Sequence, residues 1–263
     1  MFQPLQTGRL GLSGQQRAMD VIGDNIAHLN VTGAKKVRLD FQDTLYTRMF
    51  NKVDMGPHMN LQRGTGVRDY QTARDFEQGA MLASERSIDF ALEGPGWFVL
   101  QNPEPMDEDG LDEFLYTRDG TFYLSTEDNG TFLVDAFGRY VADDAGDRIR
   151  IDDPTALVCD EAGYLYISGA GDEGVPFARL GLADFVNPGG LTALGRGYFI
   201  QSANSGELVE ATAVVHQYYT EDSNVDLSVE MTRMIRTQRA YQIAARCVTT
   251  ADQMMQVANA IRS

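Results

Sequence analysis

The residues most able to do chemistry in this chain are glycines, histidines and carboxylates, and their spacing completes no reaction centre. Gly169, Gly171 and Gly174 stand at the intervals of a phosphate-binding loop. Such a loop works only where a helix follows it, because helix N–H groups meet the phosphate. Here Asp172 and Glu173 put negative charge inside the loop, and Val175-Pro176-Phe177 does not start such a helix, so no dinucleotide site is expected. His28, His58 and His216 lack the spacing of metal ligands. The run Glu104, Asp107, Glu108, Asp109, Asp112, Glu113 lacks the ligand order of a calcium loop and reads as a solvated segment. Asn129-Gly130-Thr131 has the form of a glycosylation acceptor, yet a tight turn accounts for the same residues. No G-x-S-x-G elbow is present, and Cys159 and Cys247 lie in contexts too different for a disulfide framework. The sequence therefore points away from an enzyme, with no catalytic residue, cofactor or metal expected.

The elements around these residues carry a stronger pattern. From Leu227 to Arg262 no Gly or Pro interrupts the chain, and Leu227, Met234, Tyr241, Val248 and Met255 recur every seven residues. Thr237, Ala244, Ala251 and Ala258 follow four of them at three positions, which is the a and d stripe of a heptad helix. The small second row lets another helix approach closely, and the large first row supplies the apolar area that favours the approach. At 1.5 Å per residue this helix is about 54 Å long, more than a small domain can cover. Leu5, Leu12, Met19 and Ile26 repeat the same period near the N-terminus, with Ile22 and Leu29 between them. Two amphipathic helices at opposite ends of the chain thus share a register, and both stripes read as an assembly interface.

Charge and composition narrow the function classes. The 263 residues carry a net charge of −16, but residues 1 to 50 are net +2 and 227 to 263 net +3, so the stretch between them holds −21. An acidic middle with mildly basic ends offers no basic face for nucleic acid. No run of about eighteen apolar residues suggests membrane insertion, and the N-terminus lacks the order of a cleavable secretory signal.

In chain order, a first helix is expected from about residue 4 to Leu29, weakened by Gly8, Gly11, Gly14 and Gly23. Asn30-Val31-Thr32-Gly33 should stop it and turn the chain. A short helical or irregular piece is expected over Phe41 to Phe50 and an extended loop over Asn51 to Gly66. From Val67 to Thr220 short alternating runs predict strands at Trp97 to Gln101, Phe114 to Arg118, Thr121 to Ser125, Thr131 to Asp135, Gly138 to Ala142 and Arg148 to Ile151. Further runs fall at Ala156 to Cys159, Tyr164 to Ile167, Ala178 to Phe185, Tyr198 to Gln201 and Leu208 to Tyr219. Asp119-Gly120 and Asn129-Gly130 read as hairpin turns. The fold class is α+β: terminal helices (1–35 and 227–263) paired as a coiled coil, a connecting segment (36–66), and an inserted antiparallel β domain (67–226).

Several segments also resemble bacterial flagellar rod and hook proteins. Asp24-Asn25-Ile26-Ala27-His28-Leu29-Asn30-Val31-Thr32-Gly33-Ala34-Lys35 is similar to that family's N-terminal signature at Asn25, Ile26, Ala27, Asn30, Gly33 and Lys35, and departs from it at Asp24, His28, Val31, Thr32 and Ala34. Ala91-Leu92-Glu93-Gly94-Pro95-Gly96-Trp97-Phe98, with Gly94 and Gly96, resembles a second motif. Tyr116-Thr117-Arg118-Asp119-Gly120-Thr121-Phe122 resembles a third through Thr117, Arg118, Asp119 and Gly120. Asn224-Val225-Asp226, Gln238-Arg239-Ala240-Tyr241 and Thr250-Ala251-Asp252-Gln253-Met254 complete the likeness. The resemblance implies an axial building block that assembles helically as a homo-oligomer with other rod and hook proteins, its terminal helices paired toward the inside of a tube. It implies export by the flagellar type III apparatus and residence in the basal body, across the periplasm or cell envelope. The length suits a rod member better than a hook member. A secreted β-domain ligand binder or enzyme with helical arms is the alternative of another class; it requires a polar pocket with converging His or carboxylates.

Overall fold

The computed structural model describes residues 3–48, 62–102, 114–127, 130–151, 157–167 and 176–262. These form an α+β chain that divides into two compact units. One comprises residues 1–27, 37–74 and 226–263, and the other residues 28–36 and 75–225. The division differs from the sequence expectation in two places. The turn after the first helix belongs with the β unit, and the segment after that turn belongs with the helices.

In the helical unit, α1 spans Gln3–Ala27 and α2 spans Leu227–Arg262. Asp226 starts α2 as an N-cap, its Oδ1 accepting from the backbone N–H of Ser228 at 2.8 Å and of Val229 at 3.1 Å. The two helices pack together. Asn25 of α1 meets Glu230, and Gly8 lies so close to Val248 that a Cβ there would stand 2.6 Å from Val248 Cγ2, so the pair runs antiparallel. That contact gives Gly8 a packing role, and Gly14 likewise admits the Phe41 ring. Against α1 lies a ribbon of Val37–Asp43 and Val67–Arg74, antiparallel from Val37↔Arg74 to Asp43↔Val67 with a register shift between Asp40 and Phe41. The ribbon continues in Thr47–Arg48 paired with Gln62–Arg63. The short helical or irregular piece expected over Phe41–Phe50 is thus corrected to strand at 41–43 and Thr47–Arg48 with an irregular link at 44–46, and the expected loop gives way to ribbon at Gln62–Arg63. Val37, Leu39 and Phe41 alternate with polar residues, which is strand periodicity. The rest of the expected loop, residues 51–61, lies outside the described residues, as do residues 49 and 50.

The β unit is built on a mixed-connection antiparallel sheet. Its path runs 192–195, 198–200, 114–117, 97–101, 140–141, 130–134, 123–127, and strand 182–185 pairs with both 97–101 and 208–210. Smaller sheets join 157–159, 164–167 and 178–179, then 214–217 with 90–93, and 219–221 with 81–83. Phe90, Phe98, Leu100, Leu115, Phe122 and Leu133 are fully buried in its main core, and Trp97, Phe185 and Phe199 centre a second cluster. Several strand expectations hold to the residue, as at Trp97–Gln101 and Tyr164–Ile167. Asn129-Gly130 does join two paired strands, with Gly130 opposite Glu127; Asn129 itself lies outside the described residues. Asp119-Gly120 does not: strand 114–117 pairs with 97–101 and 198–200, not with 123–127. The chain there runs beside Phe90, whose N–H donates to Gly120 O at 3.0 Å, and a Cβ on residue 120 would stand 1.8 Å from Phe90 O. Close backbone approach, not turn chemistry, requires that glycine. Arg148–Ile151 makes isolated bridges only, and the runs expected over 178–185 and 208–219 are each broken into shorter strands. The glycine-rich, acidic-loop and His58 positions lie outside the described residues.

Candidate functional site

Residues from motifs far apart in sequence meet around one carboxylate in the β unit. Glu221 ends the short strand 219–221 and its side chain is wholly buried. Lys35 Nζ donates to its Oε1 at 2.6 Å, Arg118 Nη1 to its Oε2 at 3.4 Å, and the Gly79 N–H to Oε1 at 2.9 Å. Lys35 also donates to Glu77 O at 2.8 Å, and Arg118 Nη2 to Gly94 O at 2.7 Å. Both cations are nearly as buried as the anion. Burial pulls the Lys35 ammonium below its ordinary value; Glu221 opposes that shift and Arg118 adds to it. Burial likewise lowers Arg118, against the attraction of Glu221 and Asp184. Two cations on one carboxylate, away from solvent, hold position; they offer no group poised to exchange protons with a substrate.

The signature turn is locked onto this cluster. Gly33 has φ +66°, its N–H donates to Glu221 O at 2.8 Å, and a Cβ there would stand 2.7 Å from Asp119 N. The αL backbone and the close contact both require glycine. Thr117 Oγ1 accepts from Asp119 N at 3.1 Å, and Asp119 Oδ1 accepts from Thr121 N at 3.0 Å, so the facing loop is itself stiffened. Gly94 and Gly96, both at positive φ, close the ring of motifs. Asn30 is exposed at the outer edge of the turn.

Two asparagines act as clips where the chain changes unit. In the helical unit Asn25 brackets Val37, donating to its O at 2.8 Å and accepting from its N at 2.9 Å, while reaching Glu230 Oε2 at 3.5 Å. In the β unit Asn224 accepts from Lys36 N at 2.7 Å and donates to Asp75 O at 2.9 Å and Glu77 O at 3.0 Å.

Comparison with known proteins agrees with this geometry. Residues 5–35 match the family described as flagella basal body rod protein, and 216–261 match the C-terminal part shared by flagellar basal body rod FlgEFG proteins. The first match holds Asn25, Gly33 and Lys35, and the second holds Glu221 and Asn224. The flagellar basal-body rod protein FlgG of Caulobacter vibrioides is 31% identical over the whole of both chains. The chain belongs to the flagellar basal-body rod protein family. FlgG of Buchnera aphidicola subsp. Schizaphis graminum is 32% identical, covering 97% of this chain and 98% of its own, and FlgG of Bacillus subtilis is 31% identical over 97% of each. The flagellar hook-basal body complex protein FlhP of Bacillus subtilis is 28% identical over both full lengths.

For a rod-family chain the helical stripes are the other candidate site, and most of their residues are partly buried in the helical unit. Met234, Thr237, Tyr241, Ala244, Val248, Ala251, Met255 and Ala258 are half-buried, as are Leu5, Leu12, Met19 and Ile26, and Ile22 is buried. Leu227 is exposed at the start of α2, and Leu29 falls beyond α1 in the β unit's turn. Gln238 and Arg239 are exposed and Ala240 is half-buried.

Glu221 and Glu230 were not legible as members of either site. Glu230 did leave a signal: it is the one charged residue at a d position of the α2 stripe, and its fully buried side chain accepts from Arg233 Nη1 at 2.9 Å. Glu221 left none, since only the fold sets it between Lys35 and Arg118. Among the described residues no three His, Cys, Asp or Glu side chains converge as a metal site, and no helix is long and apolar enough to cross a membrane.

Proposed function

We infer that the protein is a structural subunit of the bacterial flagellar basal-body rod, of the distal rod type, on the single observation that it matches rod proteins FlgG at about 30% identity from end to end. Arg63-Gly64-Thr65-Gly66-Val67-Arg68 and Asp252-Gln253-Met254 are the segments that resemble the distal rod protein; a short Asn51–Gln62 stretch makes the proximal rod protein the alternative on sequence alone. In this reading α1 and α2 form a coiled coil in the inner layer of a homo-oligomeric shaft whose head-to-tail contacts do not close. The subunit adjoins other rod and hook proteins, leaves the cell through the flagellar type III apparatus, and transmits torque while catalysing nothing. What supports the non-catalytic part is the inward use of every buried charge described above. The test is imaging of basal bodies from a deletion strain: rods that end before their distal segment support the assignment, and full-length rods with attached hooks overturn it. Asp in place of Met234 or Tyr241 should abolish motility in the same strain without blocking export.

A further inference from the structure

Lys35 stands 186 residues before Glu221, yet the turn that carries it is seated on the segment around that carboxylate. Gly33 N–H donates to Glu221 O at 2.8 Å, Lys35 Nζ to Glu221 Oε1 at 2.6 Å and Lys36 N–H to Asn224 Oδ1 at 2.7 Å, while Asn224 N–H donates to Ala34 O at 3.4 Å. The turn also abuts Asp119 N at Gly33 and receives the Thr121 hydroxyl on Thr32 Oγ1 at 3.4 Å. Segment 219–224, by contrast, has a seat of its own. Residues 219–221 pair with 81–83, Asp222 N–H donates to Ala80 O at 2.8 Å, and Glu221 takes the Gly79 N–H on Oε1 and Arg118 Nη1 on Oε2. A Cβ on residue 79 would stand 1.9 Å from Asp222 O, so the two stretches touch backbone to backbone. The charges divide in the same way. When Lys35 withdraws, Arg118 and Glu221 remain as a neutral buried pair and the ammonium returns to water. Were Glu221 to withdraw, Lys35 and Arg118 would stay behind as like charges in a dry site, which is the costlier state.

We propose that the β unit closes in a fixed order, segment 219–224 first and turn 28–36 last, so that the turn locks only onto a unit that already holds its final strand. The inference goes beyond the rod reading and holds whatever the chain assembles into. Closing so long a loop before the intervening strands have paired would cost more conformational entropy than closing it afterwards, which favours the same order. Lys35 thus acts as a latch that answers to Glu221. The stretch of the unit that comes first in the chain is the last to be fixed, and a chain whose residues 219–224 are not in place keeps its turn open.

Native-state hydrogen exchange of the full-length chain tests the order, with strand 97–101 as the reporter of the whole unit. In water all three stretches are protected. In mild denaturant the amides of 28–36, those of Gly33 and Lys36 among them, open first and those of 219–224 open later; simultaneous opening, or 219–224 opening first, overturns the proposal. Lys35→Met should change exchange at 219–224 only in step with 97–101, their ratio staying within about twofold of wild type. A selective loosening of 219–224 in that variant would mean that the turn holds the strand, and it overturns the order too. Glu221→Gln keeps the shape of the side chain but leaves both cations without an anion, so the turn amides should exchange roughly tenfold faster, or more, relative to 97–101; an unchanged ratio counts against the latch. Should that variant not fold, the wild-type order and Lys35→Met still decide.

Discussion

In the β unit large side chains from many strands bury completely, whereas in the helical unit Ile22 is the one apolar residue among those described that falls in the buried class. The β unit also encloses its charges, with Glu221 between Lys35 and Arg118. The helices keep Met231, Ile235, Ile243, Met254 and Val257 in water. The β unit is built round a closed core, although Phe137, Val186 and Leu194 stay exposed on it; the helical unit has no comparable core among its described residues. The contrast predicts which substitutions act on the monomer and which act on assembly.

The sharpest break would come at Glu221. Glu221→Ala leaves two buried cations without their anion and should destabilise the isolated subunit by about 3–5 kcal/mol in denaturant melts. A loss under about 1 kcal/mol would mean that the cluster is wetter than its burial indicates. Lys35→Met should cost less, since Arg118 still meets the carboxylate. It should also remove a pH dependence. Burial lowers the folded-state pKa of Lys35 below 10.5, so between that lowered value and 10.5 the unfolded chain holds the extra proton and stability rises with pH. The variant should lack that rise.

Next in size is a matched pair of cavities. Leu100→Ala, in the core of the β unit, should cost about 2–5 kcal/mol, and Leu12→Ala, half-exposed on α1, under about 1 kcal/mol in the monomer. Equal losses would erase the contrast.

Hydrogen exchange locates the boundary. Amides of 28–36 should be protected with the β unit, led by Gly33 N–H on Glu221 O, while α1 and α2 exchange faster in the monomer. A fragment trimmed at residue 35 loses both Lys35 and the Gly33 N–H bond to Glu221 O, leaving Arg118 and Gly79 on the carboxylate, so the more stable β fragment should begin near His28. If both fragments melt alike, the turn belongs with the helices.

The smallest effect compares the two cysteines. Burial, with Asp160 beside it, pushes the Cys159 thiol up to about 12, while Cys247 is exposed on α2. In the native monomer at pH 8 Cys247 should take up one maleimide and Cys159 none until the β unit unfolds. Labelling of both at similar rates would put Cys159 in a loosely packed place.

What the sequence revealed was local. The α2 bounds follow from thirty-six residues without Gly or Pro, and Trp97–Gln101 from a short apolar run between turns. The strand Val37–Asp43 was missed, although Val37, Leu39 and Phe41 alternate with polar residues as a strand's do. Asp119-Gly120 misled because a hairpin dipeptide and a close-approach glycine have the same spelling, and only the position of Phe90 separates them. The signature residues were found as motifs. Their convergence was not, because Lys35 and Arg118 stand 186 and 103 residues from Glu221 and nothing local pairs them.

Asn224 sets how the β unit meets a pull. Its side chain fastens the Lys36 backbone, where one stretch leaves that unit, to the Asp75 and Glu77 backbones, where the next enters it, beside the exit at Val225. Tension arriving along any one of these segments is shared among the others through bonds loaded side by side, so the strands must shear together instead of peeling off one at a time.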